Sequence, residues 1–416
     1  MTEKGMCLFG TYLLYIETFV DLSYNYLNMR TSEMKLLMNE IYFDNAATTR
    51  VDEDIAAVAC EVMCKSYGNA SSLHAKGLEA QLIIQKAERQ LLSALGAKGG
   101  RIIFTSGGTE ANNLAIFGGS DAKKRRGNKV ITTTIEHSSV VDSVKELKNR
   151  GFETVEINPK QDGCIDAAEL LSHCDEKTIL VSVMMANNEV GSIQPIAEIA
   201  KGLKRRSPNA LLHVDAVQAF GKLPFSVSKL GVDLMTVSGH KIHAPKGVGA
   251  LYITDKVKIN PMIFGGSQQD KIRPGTESVP MIAALGAAAQ KAAENLSENS
   301  AKVTKAKAAL LEALSNIEGV TINSPEQNCM PYIVNCSVVG YRSETMMHFL
   351  ESHGIYVSSG SACSKGARSH VLSAMGKTAA EVDSALRISF SKYNTAEEAK
   401  IFAEKLTIAM GTLRKA

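Results

Sequence analysis

The chain has 416 residues, of which 45% are hydrophobic and 21% are charged. These proportions are typical of a folded globular protein and argue against a disordered or fibrous chain. The formal net charge of only +3 argues against binding nucleic acid or a membrane through bulk charge. Eight cysteines in 416 residues are too few for the disulfide framework of a small secreted protein, so a reducing cytoplasm is the expected location.

Residues 1–38 are expected to form a weakly structured N-terminal extension. The apolar run from Met6 to Ile16 is interrupted by Glu17 before it reaches the span of about 20 residues that crosses a membrane. No small-residue cleavage site follows it, which argues against a signal peptide. Further along, Cys60 and Cys64 have helical spacing but no second Cys/His pair, so no metal site is expected.

From about residue 51 to 296, apolar runs of strand length alternate with amphipathic helical segments. One such helix is predicted over Glu79–Leu95, and another begins after Pro195. Strands that alternate with helices, some of them apolar throughout, indicate an α/β fold with a mostly parallel sheet of seven strands between helices. The runs are Arg101–Thr105, Lys129–Ile135, Glu153–Ile157, Ile179–Ala186, Leu211–Val217, Asp233–Val237 and Gly249–Ile253.

The pattern changes after residue 296. A long helix over Ala301–Asn316 precedes short strands at Val320–Ile322 and Tyr332–Val338. Helices over Ser343–Ser352 and Ala396–Leu413 are interspersed with further strands, which is typical of a smaller α+β domain. The predicted organisation is a large domain of residues 51–296 and a small domain made of residues 39–50 and 297–416.

Three segments carry residues suited to one kind of chemistry. The strand Arg101–Thr105 runs into a Ser-Gly-Gly turn and a helix start near Thr109, where exposed backbone amides favour a phosphate. Asp215 ends an apolar strand, where it would pair either with a protonated heterocycle or, as the ordinary alternative, with Arg or Lys. Lys241 follows another strand and could form a Schiff base, although alone it would more often be a surface residue. Together, in this chain order, the three predict a pyridoxal-phosphate pocket.

These segments resemble the cysteine desulfurases of the NifS/IscS-like branch of the class-V aminotransferase family, which are fold-type I pyridoxal-phosphate enzymes. The resemblance covers about residues 39 to 416. It rests on further segments outside the three: FDNAATT at 43–49, GNASSLH at 68–74, TIEHSSV at 134–140, NNEVG at 187–191, RPGT at 273–276 and SSGSACS at 358–364.

The resemblance implies a role for each matching residue. Lys241 is expected to hold pyridoxal phosphate covalently, Asp215 to pair with its ring nitrogen, and Gln218 to bind its ring hydroxyl. Asn188 should contact the cofactor and substrate, His137 should stack on the ring and shuttle protons, and Arg387 should bind the substrate carboxylate. The expected phosphate ligands are Gly108, Thr109, Ser238, His240 and, from the partner subunit of a homodimer, Thr276.

Cys363 is the expected nucleophile that accepts the sulfur of L-cysteine as a persulfide. Seven of the nine residues of Ser358–Gly366 are Ser, Gly or Ala, and Lys365 and Arg368 nearby would favour a thiolate. The resemblance also implies a sulfur acceptor, such as an iron–sulfur scaffold protein or a tRNA or cofactor thiolation pathway, with no direct nucleic-acid or membrane partner. A selenocysteine lyase, another class-V aminotransferase-like enzyme and an inactive sulfur-assembly scaffold stay open as alternatives.

Overall fold

The computed structural model describes residues 40–359 and 368–415. The predicted N-terminal extension and the segment that contains Cys363 lie outside the described residues. Among the described residues, no helix is both long enough and apolar enough to cross a membrane.

Seven strands form one sheet: β2 (Arg101–Thr105), β3 (Lys129–Thr133), β4 (Glu153–Ile157), β5 (Thr178–Met184), β6 (Leu211–Asp215), β7 (Leu234–Ser238) and β8 (Gly249–Ile253). Their order across the sheet is β2-β8-β7-β6-β5-β3-β4. Only β8 runs in the opposite direction to the other six strands, so the predicted mostly parallel α/β sheet is confirmed.

The strands β3, β5 and β6 end earlier than predicted. The apolar runs continue past the last strand residues, Thr133, Met184 and Asp215, but the backbone beyond them turns to other partners. The amide of Met185, for example, donates to the carbonyl of Asp215 at 2.8 Å. Hydropathy cannot mark this change because the turning segments are as buried as the strands.

Helices cover both faces of the sheet. They are α1 (Glu53–Lys65), α2 (Ala75–Ala94), α3 (Gly108–Asn113), α4 (Gly119–Lys123), α5 (Ser138–Asn149), α6 (Ala167–Ser172), α7 (Ile196–Arg206), α8 (Val227–Leu230) and α9 (Val279–Glu294), with a π-helical turn at Leu114–Gly118 and 3₁₀ turns at Gly239–Lys241 and Gln268–Lys271. Successive strand residues point to opposite faces: Ile103 packs in one core under α3 and α5, whereas Ile102 packs in the other, under α2, α7 and α9.

Two smaller sheets lie in the remainder of the chain. An antiparallel sheet has the order β12-β13-β10-β9, and a two-stranded parallel sheet pairs β1 with β11. The strands are β1 (Ile41–Tyr42), β9 (Val320–Ile322), β10 (Ile333–Val338), β11 (Ile355–Tyr356), β12 (Ser358–Ser359) and β13 (Ala385–Ser389). The helices are α10 (Leu296–Ser315), α11 (Ser343–Glu351), α12 (His370–Ala374), α13 (Ala379–Asp383) and α14 (Ala396–Thr412).

The segment after β1 joins the smaller sheets to the large one. A bridge pairs Asp44 with Ser389, and the amide of Thr49 donates to the carbonyl of His240 at 2.9 Å. Residues 44–49 therefore lie between β13 and the turn that follows β7. The predicted division into a domain of residues 51–296 and one of residues 39–50 and 297–416 stays a prediction.

Candidate active site

The turn between β2 and α3 lies beside the carboxyl ends of β6 and β7. A Cβ atom added to Gly108 would lie 3.0 Å from Val217 Cγ2 and 3.6 Å from Ser238 Cβ, so the turn packs closely against the segments that follow β6 and end β7. Ser238 is 2% exposed, and its hydroxyl has no hydrogen-bond partner among the described residues. Thr109 is exposed at the start of the helix. The turn, the helix start and the Ser238 hydroxyl thus bring Gly108, Thr109 and Ser238 together as predicted donors to a phosphate.

Asp215 is a buried carboxylate held by neutral donors. The side-chain amide of Asn112 donates to its Oδ2 at 2.8 Å, and the backbone amide of Val217 donates to its Oδ1 at 2.9 Å. Only 6% of Asp215 is exposed, and no Lys, Arg or His among residues 40–359 and 368–415 forms an ion pair with it. The salt bridge that was the ordinary alternative is therefore absent from the described part of the chain. A buried carboxylate in this state favours a cationic ligand.

His137 is linked to Asp215 through two polar side chains. The amide of Asn112 also donates to Ser139 Oγ at 2.9 Å, and Ser139 Oγ lies 2.9 Å from His137 Nδ1. The backbone amide of Ser139 donates to the same nitrogen at 3.2 Å. Because Nδ1 accepts hydrogen bonds, the neutral ring carries its proton on Nε2. His137 is also the residue that caps α5, which holds the position of the ring.

Glu136, next to His137, is fully buried. Its Oε1 accepts from Thr133 Oγ1 at 2.7 Å and from the amide of Met184 at 2.8 Å, whereas its Oε2 has no partner among the described residues. Burial raises the pKa of this carboxyl to about 8, and the charge of Asp215 adds to the shift. Glu136 is therefore mostly protonated at neutral pH.

Lys241 lies in the 3₁₀ turn after β7. Its ammonium donates to the carbonyl of Ala46 at 2.5 Å and to that of Ala47 at 2.7 Å. The side-chain amide of Gln218 donates to the same Ala46 carbonyl at 3.0 Å. The lysine and Gln218 are thus brought together at one backbone oxygen, although they are 23 residues apart in the sequence.

His240 lies beside the segment 44–49 rather than in solvent. Its Nδ1 is 3.2 Å from Thr48 Oγ1, and its carbonyl accepts from Thr49. Burial and, to a lesser extent, the neighbouring cations, Lys241 first, together lower the pKa of its imidazole to about 4. A neutral ring at this position could serve as a donor to a phosphate, as the sequence predicts.

Arg387 is buried on β13, and its guanidinium contacts the segments 44–49 and 187–191. Its Nη2 donates to Asp44 Oδ1 at 2.7 Å, and its Nη1 donates to the carbonyl of Asn188 at 3.1 Å. Its Nε is buried with no partner in the described part of the chain. Asn188 itself is half-buried. Because Arg387 donates to its carbonyl, the two predicted substrate ligands are in direct contact.

Thr276 is exposed on the loop that precedes α9. No hydrogen bond between described residues joins it to the other candidate residues of this chain. Three residues earlier, Arg273 donates to Glu110 of α3 at 2.9 Å, which fixes the loop to the helix that follows the phosphate turn. Thr276 thus stands apart from the remaining candidates within one chain.

Cys363 lies outside the described residues, but the residues on both sides of its segment contact the site. Before it, Ser358 pairs with Arg387 across the sheet. After it, Ser369 Oγ donates to Glu189 Oε2 at 2.5 Å, and Glu189 is the neighbour of Asn188. Burial raises the pKa of Glu189 to about 7, against the hydrogen bond from Ser369, which lowers it. The segment with Cys363 is therefore joined at both ends to the residues around Arg387.

These groups fit pyridoxal phosphate. The cofactor needs phosphate donors, an anion for its ring nitrogen and an amine for its aldehyde. Among the described residues, three groups meet these needs: the Ser238 hydroxyl, which has no partner there, the carboxylate of Asp215, which has no ion pair there, and the ammonium of Lys241. They lie at the carboxyl ends of adjacent strands, where open α/β sheets bind ligands.

Sequence reasoning assigned no role to Asn112, Glu136, Glu189 or Lys222, all of which are buried at the site. Glu136 and Glu189 lie inside the segments 134–140 and 187–191 that carry the resemblance, and Asn112 lies three residues after Thr109, so a polar residue near a predicted site residue was the signal available. Lys222 has no such signal, because four residues after Gln218 a lysine would ordinarily be an exposed turn residue.

A comparison with protein families matches residues 41–402 to the aminotransferase class-V model. The chain is 41% identical over 372 residues to a putative cysteine desulfurase IscS 1 of Bacillus subtilis, covering 88% of this chain and 97% of that protein. It is 38% identical over 360 residues to the cysteine desulfurase IscS of Methanosarcina thermophila, covering 86% of this chain and 89% of that protein.

Solved structures agree with these relatives. A NifS-like protein superposes with a TM-score of 0.85 at 38% identity, covering 90% of this chain and all of the other chain. A structure described as SspA in complex with cysteine superposes with a TM-score of 0.75 at 31% identity, covering 85% of this chain and all of that one. Both similarities extend over the large sheet and the smaller sheets together.

Proposed function

The chain belongs to the class-V aminotransferase family and, within it, to the cysteine desulfurases, and on this premise we propose how its residues divide the reaction. The substrate is L-cysteine, the products are L-alanine and a persulfide on Cys363, and the cofactor is pyridoxal phosphate bound to Lys241. When bound, the cofactor supplies an electron sink for the charge that develops on the substrate carbon atoms.

The observation that carries this proposal is the state of Asp215. Its carboxylate is buried, oriented by Asn112 and Val217, and unpaired with any cation in the described part of the chain. Burying such a charge alone is costly, and the cost is offset when a protonated ring nitrogen lies beside it. Asp215 would in turn hold that nitrogen protonated, which is the state the chemistry requires.

His137 is positioned to move protons near the substrate. Its Nδ1 is hydrogen-bonded to Ser139, so the neutral ring carries its proton on Nε2, the atom to which we assign proton exchange. Glu136 and Asn112 form hydrogen bonds with neighbouring protein groups, and we assign them a structural role rather than proton transfer to the substrate. We assign the proton transfers of the reaction to His137 Nε2.

Arg387 would bind the substrate carboxylate. Its buried Nε has no partner among residues 40–359 and 368–415, so this nitrogen and the remaining hydrogens of the guanidinium could donate to a second carboxylate besides Asp44. Because Ser358 pairs with Arg387, the chain that leads to Cys363 starts next to this carboxylate position. This proximity supports Cys363 as the group that meets the substrate sulfur.

The sulfur transfer balances in atoms and electrons. The Cys363 thiolate attacks the substrate sulfur, a sulfur–sulfur bond forms, and the carbon–sulfur bond breaks. The electron pair of the broken bond stays on the carbon fragment, which takes up protons and becomes alanine. The persulfide on Cys363 then carries the sulfur to an acceptor, for which we propose an iron–sulfur scaffold protein or a thiolation pathway.

Cofactor binding can be tested with Lys241→Ala and the matched control Lys246→Ala, which alters an exposed lysine five residues further along. Purified wild-type protein and the control should be yellow after incubation with pyridoxal phosphate, and Lys241→Ala should lack the visible absorbance. A wild-type protein that stays colourless after this incubation would contradict the assignment.

The nucleophile can be tested with Cys363→Ala and the controls Cys329→Ala and Cys336→Ala. Cys363→Ala should keep the bound cofactor and change its spectrum with L-cysteine, yet release no alanine above background. Alkylation followed by mass spectrometry should map the persulfide of the wild-type protein to Cys363. A persulfide found at Cys329 or Cys336, or wild-type turnover of Cys363→Ala, would refute the assignment.

We also propose a homodimer in which Thr276 reaches the phosphate of the partner subunit. Large apolar side chains are mostly exposed at Tyr67, Leu73 and Phe264. Exposed apolar side chains of this size favour an interface with a second copy. Light scattering should give twice the chain mass, and a fully active monomer would exclude this arrangement.

The proposed location is the cytoplasm. Six cysteines in the described part of the chain are free, which is consistent with a reducing compartment. Fractionation of cells that express the tagged protein would test this location.

A further inference from the structure

Lys222 is a buried lysine that the proposed reaction does not use. Only 6% of it is exposed, and it follows Gly221, whose φ of +70° favours glycine. A Cβ atom on residue 221 would also lie 3.0 Å from Ile242 Cγ2, and Ile242 follows Lys241. This close packing of residue 221 against the Ile242 side chain places Lys222 inside the protein, near the cofactor lysine.

The side chain of Lys222 is directed at Gln218. Its Nζ donates to Gln218 Oε1 at 3.4 Å and lies 5.7 Å from the centre of the Tyr332 ring. No carboxylate within residues 40–359 and 368–415 forms an ion pair with it. A buried ammonium without a counter-ion costs free energy, so its presence needs a compensating interaction.

The contact with Lys222 determines which end of the Gln218 amide faces the cofactor. Because Oε1 accepts from the ammonium, Nε2 must point the other way, and it donates to the carbonyl of Ala46 at 3.0 Å. Nε2 carries a second hydrogen that is left for another acceptor. The ring hydroxyl of pyridoxal phosphate, once ionised, is an acceptor that requires such a donor.

We propose that Lys222 is a positioning residue: it orients the Gln218 amide so that Nε2 donates to the ionised ring hydroxyl of pyridoxal phosphate, and its buried positive charge stabilises that anion. The inference rests on the proposed function, because it presumes that Gln218 and Lys241 meet the cofactor.

The charges around Lys222 are consistent with this role. Burial is the main reason that the pKa of its ammonium falls to about 7, and the positive charges of Lys241 and Arg387 contribute to the same shift. The other ionisable groups near Lys222 are the Tyr332 hydroxyl and the imidazoles of His240 and His243, and no carboxylate among the described residues forms an ion pair with it. An anionic ring hydroxyl would therefore be the missing counter-charge, and the cation would in turn oppose protonation of the nitrogen that joins Lys241 to the cofactor.

Lys222→Met keeps the length of the side chain and removes the donor and the charge. Its dissociation constant for pyridoxal phosphate should rise about tenfold, the effect of losing one charged hydrogen bond. The pH midpoint of the visible absorbance of the bound cofactor should rise by on the order of one unit, since a nearby positive charge is gone. The control Lys246→Met, on the exposed loop after Lys241, should leave both quantities unchanged.

A double-mutant cycle with Gln218→Ala separates positioning from general packing. If Lys222 acts through Gln218, Lys222→Met should weaken cofactor binding much less in the Gln218→Ala background than in the wild type. Equal effects in the two backgrounds, or an unchanged pH midpoint in Lys222→Met, would overturn the proposal.

The outcomes for the two proposals can be told apart. If the wild-type protein does not bind pyridoxal phosphate, the proposed function fails; if it binds and Lys222→Met matches it in affinity and pH midpoint, only the role of Lys222 fails. Should Lys222→Met not fold, Lys222→Gln replaces it in the pH titration, because it also removes the charge, and an unchanged midpoint overturns the proposal in the same way.

Discussion

The strongest consequence of the site geometry concerns Asn112, a residue for which the sequence indicated no role. Its amide donates at 2.8 Å to Asp215 and at 2.9 Å to Ser139, so one side chain connects the cofactor carboxylate with the element that holds His137. Only 1% of Asn112 is exposed. Asn112→Ala removes both hydrogen bonds and leaves Oδ2 of a buried carboxylate without its donor.

The size of the effect follows from the two bonds that are lost. A hydrogen bond to a charged group contributes about 1.5–3 kcal/mol, and one between neutral groups contributes about 0.5–1.5 kcal/mol. Asn112→Ala should therefore lower the free energy of unfolding by about 2 to 4 kcal/mol. The affinity for pyridoxal phosphate should fall as well, because Asp215 loses one of the two donors that orient it.

The neighbouring Asn113 provides a matched control. It is partly exposed on the same helix, and its amide donates only to the carbonyl of Thr109, at 2.9 Å. Urea unfolding of the cofactor-free proteins should show the loss in Asn112→Ala and a change within about 0.5 kcal/mol in Asn113→Ala. Equal free energies of unfolding for the two variants would refute the reasoning about Asn112.

Two further predictions test other parts of the site. Because burial raises the pKa of Glu136 from its ordinary value of 4.5 to about 8, its contribution to stability is complete below pH 4.5 and is lost as the pH rises through 8. In urea unfolding, Glu136→Gln should thus be more stable than the wild type at pH 8.5 and about equal to it at pH 4.5. The control Glu146→Gln changes a partly exposed glutamate that is paired with Arg150, and it should show no such gain. A gain in Glu136→Gln that does not depend on pH would contradict this reasoning. Arg387→Lys loses the planar fork, so the KM for L-cysteine should rise about 10- to 100-fold while cofactor absorbance is kept, and an unchanged KM would exclude Arg387 as the carboxylate ligand.

Local patterns in the chain are sufficient to predict the large sheet. Each strand is a short apolar run, and the helices between them show helical periodicity, so both can be recognised without knowledge of distant residues. The same holds for Asp215 and Lys241. Asp215 lies near the end of one predicted strand and Lys241 lies four residues after another, and in an open α/β sheet such positions place side chains at the ligand crevice.

The contacts that complete the site depend on residues far apart in the chain, and only the tertiary structure could decide them. Asp44 meets Arg387 across 343 positions, and Lys241 reaches the carbonyl of Ala46 across 195. Likewise, no local pattern shows that Glu136 and Lys222 are buried, since both residue types are ordinarily exposed. Their burial results from packing between segments that are far apart in the sequence, which no local pattern can show. That burial in turn shifts their pKa values.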